Sequence, residues 1–431
     1  MRGTWVLALA LWAGTAAGAG PALTLEDALA TAGAPHPDLD IARAQLEGAE
    51  AEAQLAASLD DFRVTLDVAL RSGRNEFYHD KFHPDHQARL NARKTLWDFG
   101  RQQANESAAG QESAARDLQL VNVLAQRRIA LMARYFDVLL ADMQDAADTE
   151  FLAVAYVSWD NAKDRHDLGQ MANWELAELE NRYMDIRTRR NDSRRKLREK
   201  RMLLAAAMNR PDMVLEDLVD PRLADNARKL PEFQPLMDRV LEKNPRLLAQ
   251  RRLLAGATNR LDAARADYRP SLEFEAEAAA WSRESSTRDD VRAGVNFVWP
   301  LWQGGRNDAK LGREQARFHE LQAQQDKLVM DLRQAVLETR EEIQYLLDSE
   351  RRSTDLNASY RDLALEKARA DYELELKTNL GNNMAETQVA RLRKRAVEYR
   401  LALAWARLEA LLGGPGELAG LTGGGKAEEK K

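Results

Sequence analysis

Hydrophobic and polar positions alternate with a period of two in four short stretches, and recur at threes and fours along most of the remaining chain. In the first stretch Phe62, Val64, Leu66, Val68 and Leu70 share one face, opposite Arg63, Thr65, Asp67 and Arg71. In the second, Gln87 to Trp97, the residues Leu90, Ala92 and Leu96 oppose Arg89, Asn91, Arg93 and Thr95, and Lys94 intrudes on the apolar side. The third sets Leu272, Phe274, Ala276, Ala278 and Ala280 against Ser271, Glu273, Glu275 and Glu277. The fourth sets Val291, Ala293, Val295, Phe297 and Trp299 against Arg292 and Asn296. A strand of about ten residues is long enough to cross the hydrocarbon layer at a tilt. Alternation alone suits a half-buried hairpin of a soluble protein equally well. Dense charge on one face, and aromatics at the ends (Phe62, Trp97, Phe99, Tyr268, Trp299, Trp302), favour strands with lipid on one side and a wet lumen on the other.

The longer period predicts long helices. From Arg101 to about Arg165 there is one glycine, Gly110, and no proline. Apolar positions from Leu118 through Val121, Ala125, Ile129, Met132 and Phe136 to Met143 form a coiled-coil-like seam. A helix of that length spans roughly 100 Å. Breaks at Asp167–Trp174 and Glu373–Asn383 punctuate two helical hairpins, with Leu168 aligned to Leu374 and Asn173 to Asn379. The glycines and asparagines there serve ordinary hairpin turns; a second reading makes them a distal tip that docks a partner or narrows a channel.

The chain is a tandem duplication. His36-Pro37-Asp38-Leu39, Gly48-Ala49 and Ala56 recur as Asn244-Pro245-Arg246-Leu247, Gly256-Ala257 and Ala264. Leu96-Trp97-Asp98-Phe99-Gly100-Arg101 recurs as Leu301-Trp302-Gln303-Gly304-Gly305-Arg306. The expected order is a signal peptide (1–19), a first repeat (20–210), a connector (211–245), a second repeat (246–412) and a flexible tail (413–431). In the first repeat, strands fall at about 62–71 and 87–97 and long helices at about 101–166 and 175–208. In the second, strands fall at about 271–281 and 290–299 and helices at about 306–372 and 384–412. Four strands cannot close a barrel, and an open edge in lipid leaves backbone groups unpaired at several kcal/mol each. The pattern therefore calls for copies around a shared barrel, and a trimer gives one wide enough for water.

Composition narrows the partners. Charged residues make up 31% and aromatics 6% of the 431 residues, which suits long exposed helices. A formal net charge of −6 gives no case for nucleic acid. With no cysteine, the chain has no disulfide, thiolate metal site, cysteine nucleophile or lipid-bearing cysteine. Arg2, the apolar run Trp5 to Trp12 and Ala17-Gly18-Ala19 read as an export signal. No other uncharged apolar run approaches the ~20 residues of a membrane helix. The basic run Arg187 to Arg201 reads as a solvated helix face. His79, His83 and His86 read as a polar loop, with metal capture the sharper alternative. No nucleophile-base pair, phosphate loop or metal triad has recognisable spacing, so catalysis is not expected.

Leu23-Thr24-Leu25-Glu26-Asp27-Ala28-Leu29, the His36-Pro37-Asp38-Leu39 turn, the two strand exits, the two tips and Leu411-Leu412-Gly413 together resemble the TolC family of outer-membrane efflux and secretion ducts. The resemblance implies a mainly α protein with a membrane β-barrel part. It implies a homotrimer in which a 12-stranded barrel in the outer membrane continues into a 12-helix periplasmic tunnel. It also implies a periplasmic adaptor (membrane fusion protein) and an inner-membrane pump as partners, with no cofactor. Tyr372 and Lys377 stand where such members place the residues that tie the tip shut, and Glu175 at the acidic partner position. Leu168, Gly169, Asn173, Leu374, Glu375 and Asn379 would form the adaptor-docking tips. Gly381 and Met384 replace aspartates that line the entrance in similar members. Arg63, Asp67, Arg71, Arg89, Arg93, Glu273, Glu275, Glu277 and Arg292 would line the barrel. The rival class is a soluble periplasmic coiled-coil adaptor without a pore.

Overall fold

A computed structural model describes residues 22–74, 82–215, 217–282, 289–374 and 379–422. The export signal and the positions Glu375, Lys377 and His79 lie outside the described residues. The chain divides into two compact units: residues 33–130, 224–360 and 393–431 form one, and residues 1–32, 131–223 and 361–392 the other.

The first unit holds the sheet. Helix α2 (Pro37–Ser58) starts where His36 accepts a hydrogen bond from the Asp38 N–H, with a proline at its first turn. Helix α6 (Pro245–Ala266) starts in the same way: the Asn244 side chain accepts from the N–H groups of Arg246 and Leu247. Both helices have 22 residues, so the duplication extends to their length. Each feeds an antiparallel hairpin: β1 (Arg63–Ala69) with β4 (Gln87–Trp97), and β5 (Ser271–Trp281) with β6 (Val291–Val298). The four pair in the order β1-β4-β5-β6. Arg63 lies opposite Arg93 in the first hairpin and Ser271 opposite Val298 in the second, so the repeats share one register.

After the sheet the chain enters α3 (Arg101–Asp167) and α7 (Arg306–Tyr345) through residues with positive φ: Phe99, Gly100, Gly304 and Gly305. Below the sheet, α5 (Phe233–Lys243), α7 and α9 (Leu380–Leu411) supply Leu236, Val240, Leu332, Val336, Leu401 and Trp405 to one apolar core. A fully buried leucine or valine there contributes about 1.5–3 kcal/mol. Asn226 is buried beside that core; its amide donates to the Glu398 backbone oxygen at 2.9 Å and carboxylate at 2.7 Å, and Arg351 pairs with the same carboxylate at 2.7 Å. Among the described residues no helix is long and apolar enough to cross a membrane.

The second unit holds the hairpin ends. It contains α1 (Leu25–Ala30), the distal part of α3, α4 (Asn173–Ala207), the end of α8 (Arg351–Glu373) and the start of α9. Leu23 bridges to Leu218, and the buried Tyr135 hydroxyl lies 2.8 Å from the Leu23 carbonyl and 2.6 Å from that of Val219.

Several boundaries differ from the sequence reading. Arg71 lies beyond β1, where its N–H donates to His86 Nδ1, so it is not a strand residue. A short hairpin, β2 (Ser72–Arg74) with β3 (Phe82–Pro84), follows instead. The helix expected over 306–372 is interrupted by a π-turn at Leu346–Glu350; one extra residue in the turn re-phases the seam on either side. The connector contains α5, and the tail contains α10 (Glu417–Thr422), whose Leu418 joins the core.

The Tyr135 phenol, held away from solvent and near Glu26, Asp220 and Asp27, is pushed up to about 12 from its ordinary value near 10. The folded state therefore keeps a proton that the unfolded chain loses. This stability is complete below about pH 10 and falls away as the pH rises toward about 12. Tyr135→Phe is expected to lower stability by roughly 1–2 kcal/mol at neutral pH and to remove that alkaline step in a thermal-unfolding series.

Candidate functional site

The sheet sorts its residues by face. Arg63, Thr65 and Asp67 lie opposite Arg93, Asn91 and Arg89, which lie opposite Glu275, Glu277 and Ala279. Glu277 and Glu273 in turn face Arg292 and Asn296. The predicted lumen residues other than Arg71 thus share one face. Its four arginines (Arg63, Arg89, Arg93, Arg292) balance four carboxylates (Asp67, Glu273, Glu275, Glu277), so that face carries no net charge. Arg93 pairs with Glu275 at 3.0 Å and Arg292 with Glu277 at 3.1 Å, while Asn296 donates to the second oxygen of Glu275. Asn91 donates to Asp67 at 3.0 Å.

The opposite face carries Val64, Leu66, Val68, Val291, Val295 and Phe297, all exposed in the single chain. Lys94 lies on this apolar side, and its ammonium sits 5.4 Å from the Phe62 ring at the strand's end. Phe62 in turn packs edge-on to Phe274 at 6.0 Å. A cation that reaches an aromatic face at the boundary keeps its stem on apolar surface and its charge out of it. At the same end, Trp97 and Phe99 rings stand 4.0 Å apart, and Trp299 donates to the Tyr268 carbonyl.

The first tip is a tight turn. Gln170 N–H reaches the Arg165 carbonyl and Gly169 N–H that of His166, both at 2.8 Å, with Gly169 at φ 71. This closure needs a left-handed residue, which glycine adopts without strain. Leu168 is 72% exposed at the turn. Glu175 lies one turn on, and its carboxylate accepts the Ala172 N–H at 3.3 Å, so here it caps α4. At the second tip Tyr372 and Leu374 are exposed and Asn379 accepts from the Asn383 amide. Gly381 lies against α3: a Cβ there would stand 2.6 Å from Val154 Cγ2. Met384 is more exposed, at 36%.

The tip also has a pair that the sequence reading passed over. His166 Nε2 lies 2.5 Å from the Asn173 side-chain oxygen and Nδ1 3.4 Å from Asp167, tying the end of α3 to the start of α4. A histidine and an asparagine seven positions apart across a glycine turn were the available signal. Away from the turn, the basic run of α4 meets acids of α3 rather than only solvent: Arg189 pairs with Asp148 at 2.9 Å and Lys200 with Asp137 at 2.9 Å. His86 accepts from a backbone N–H, and no cluster of three metal-ligating residues occurs among the described residues.

Residues 236–414 match the outer membrane efflux protein family. No curated protein matches the sequence. The fold is similar to the solved structure of the channel protein CusC (19% identity, TM-score 0.73, covering 90% of this chain and 92% of that one). It is similar to the outer membrane protein VceC of Vibrio cholerae (19%, TM-score 0.70, 90% and 96%). The outer membrane channel CmeC of Campylobacter jejuni also aligns (13%, TM-score 0.73, 90% and 85%).

His166 holds its proton above the ordinary range, first through the contact with Asn173 and then through Asp167. Its contribution to the turn is complete below about pH 6.5 and is lost as the pH rises through the raised value. Amide exchange at Gly169 and Gln170, corrected for intrinsic rate, is expected to be faster at pH 8 than at pH 6, and His166→Gln to abolish the difference.

Proposed function

We propose, since residues 236–414 match the outer membrane efflux protein family and the fold is TolC-like, that this chain is a passive exit duct of the cell outer membrane that extends into the periplasm. The observation that carries the proposal is the sheet with one charged and one apolar face. Turned into lipid, the apolar face is the favourable surface, and the charged face then lines water. Three copies of the four-stranded sheet give a 12-stranded barrel, and their paired long helices give a 12-helix tunnel. The sheet edges then have partners, as hydrocarbon requires. An exported, non-lipidated chain reaches this place through the signal read at residues 1–19. A soluble adaptor without a pore accounts for the helices and not for a sheet with these two faces.

The duct does no chemistry of its own. A periplasmic adaptor meets the tips at Leu168, Gly169, Asn173, Leu374, Glu375 and Asn379, and an inner-membrane pump supplies the energy and chooses the cargo. Tyr372, Lys377 and Glu175 restrain the tip at rest. Lysine holds a carboxylate as a point charge, without the two-pronged grip of arginine, so the restraint is weak.

Purified protein added to a planar lipid bilayer is expected to form channels. Balanced charge on the polar face should leave little preference between cations and anions, read as a reversal potential near zero in a salt gradient. Lys377→Gln should raise the conductance. A protein that never conducts would contradict the duct; unchanged conductance in the variant would remove Lys377 from the gate.

A further inference from the structure

A single charge interrupts the apolar face of the sheet. Read across the strands, Val64, Ala92, Ala276 and Ala293 form one row of that face. The next row toward the long helices is Lys94, Phe274 and Val295. Lys94 is the one charged residue among the described strand positions of this face. A lysine on the lipid side is strongly unfavourable at the bilayer midplane and nearly neutral close to the interface. Its ammonium reaches the Phe62 ring at the end of the strand, so its charge is carried toward that interface.

A second cation stands at the same end. Thr95 lies opposite Glu273, but Trp97 lies opposite Leu272, so β4 carries one extra residue, Leu96, at this point. The bulge turns Trp97 to the apolar side, where strict alternation would have put it on the charged one. Trp97 lies 4.0 Å from the Phe99 ring, and the Arg269 guanidinium stands 5.6 Å from the same ring. Phe99 has φ 57, a backbone conformation that is strained for an aromatic residue. Its counterpart in the second repeat is Gly304, at φ 62, which makes the same exit without strain. The turn itself therefore does not call for phenylalanine, whereas a platform for Trp97 and Arg269 does.

Both cations lack a carboxylate. Neither Lys94 nor Arg269 forms an ion pair among the described residues, and Arg269 is exposed. Arg101 and Lys310, on the helices that leave the sheet, are by contrast both paired with Asp267. Two cations on aromatic faces, at the edge of an apolar surface, present positive charge where lipid headgroups begin.

We propose that Lys94 and Arg269 form a headgroup site for a phospholipid, an anionic one by preference, in the leaflet next to the long helices. The site rests on the duct reading, which turns this face to lipid and its helix-bearing end to the periplasm. Arginine meets a phosphate with two parallel N–H donors, and lysine meets it as a point charge. The acyl chains lie over Ala92, Ala276 and Ala293, where small side chains leave a shallow trough beyond Phe274. Phosphatidylglycerol carries a net negative charge and phosphatidylcholine none, so the two cations favour the first.

The test is native mass spectrometry of the full-length protein, extracted from vesicles of equal parts phosphatidylglycerol and phosphatidylcholine. The wild type is expected to retain phosphatidylglycerol several-fold over phosphatidylcholine. Lys94→Gln with Arg269→Gln should abolish that preference, and Lys94→Arg should keep it. Arg251→Gln removes a charge from the exposed face of α6 and should leave the preference unchanged. Equal retention of both lipids by the wild type, or an unaltered preference in the double variant, would overturn the site. Displacement of the lipid by inorganic phosphate alone would assign the cations to a soluble anion and overturn it too. In each of these cases conductance in a bilayer would still support the duct. A protein that stays out of the vesicles altogether would overturn both.

Discussion

A backbone N–H or C=O in hydrocarbon has no water to bond, and each unpaired group costs several kcal/mol. Strands β1 and β6 are the outer strands of the sheet, and each has one edge without a backbone partner among the described residues. The apolar residues on one face ask for lipid, and the open edges forbid the single chain from meeting it alone. The proposed duct, in which further copies close the edges around a wet interior, resolves that conflict. Arginines and carboxylates facing each other across the strands are tolerable only where water or close partners surround them. The sheet provides close partners, through pairs such as Arg93 with Glu275.

Duplication supplies the remaining economy. One plan of capped helix, hairpin, αL exit and long helix is written twice, and the helix ends agree as closely as the starts. Asn209 at φ 58 closes α4, with Arg210 N–H on the Ala205 carbonyl; Gly413 at φ 111 closes α9, with Gly414 N–H on the Glu409 carbonyl. At Gly413 no other residue fits, since a Cβ would stand 2.8 Å from the Lys243 carbonyl. The asparagine in one repeat and the glycine in the other are the two residues that adopt this conformation most readily. Ion pairs cross the hairpin seams, such as Asp148 with Arg189 and Asp362 with Arg391 at 3.1 Å.

Much of this was legible in the sequence because its periods are simple. A two-residue alternation assigns Arg89, Glu275 and Arg292 to one face, and the sheet's register puts them there. The seam from Leu118 onward identifies a helix whose 67 residues then run unbroken. What was not legible depends on contacts between distant positions. Arg71 continues the alternation and yet leaves the strand, because β1 ends where His86 takes its N–H. The π-turn at Leu346 leaves no gap in the helical composition. Gly381 reads as a lost entrance residue, but its partner Val154 is more than two hundred positions away and only folding reveals the close approach. His166 and Asn173 gain meaning only when the turn at Gly169 brings them together.

The duct stands or falls on the charged face of the sheet meeting water while the other face meets lipid. Single cysteines placed in turn from Arg63 to Val68, in a chain that has none of its own, can be exposed in intact outer membranes to a water-soluble thiol reagent that does not enter lipid. Labelling is expected at 63, 65 and 67, with protection at 64, 66 and 68. Equal labelling at all six positions, or the reverse alternation, would contradict it.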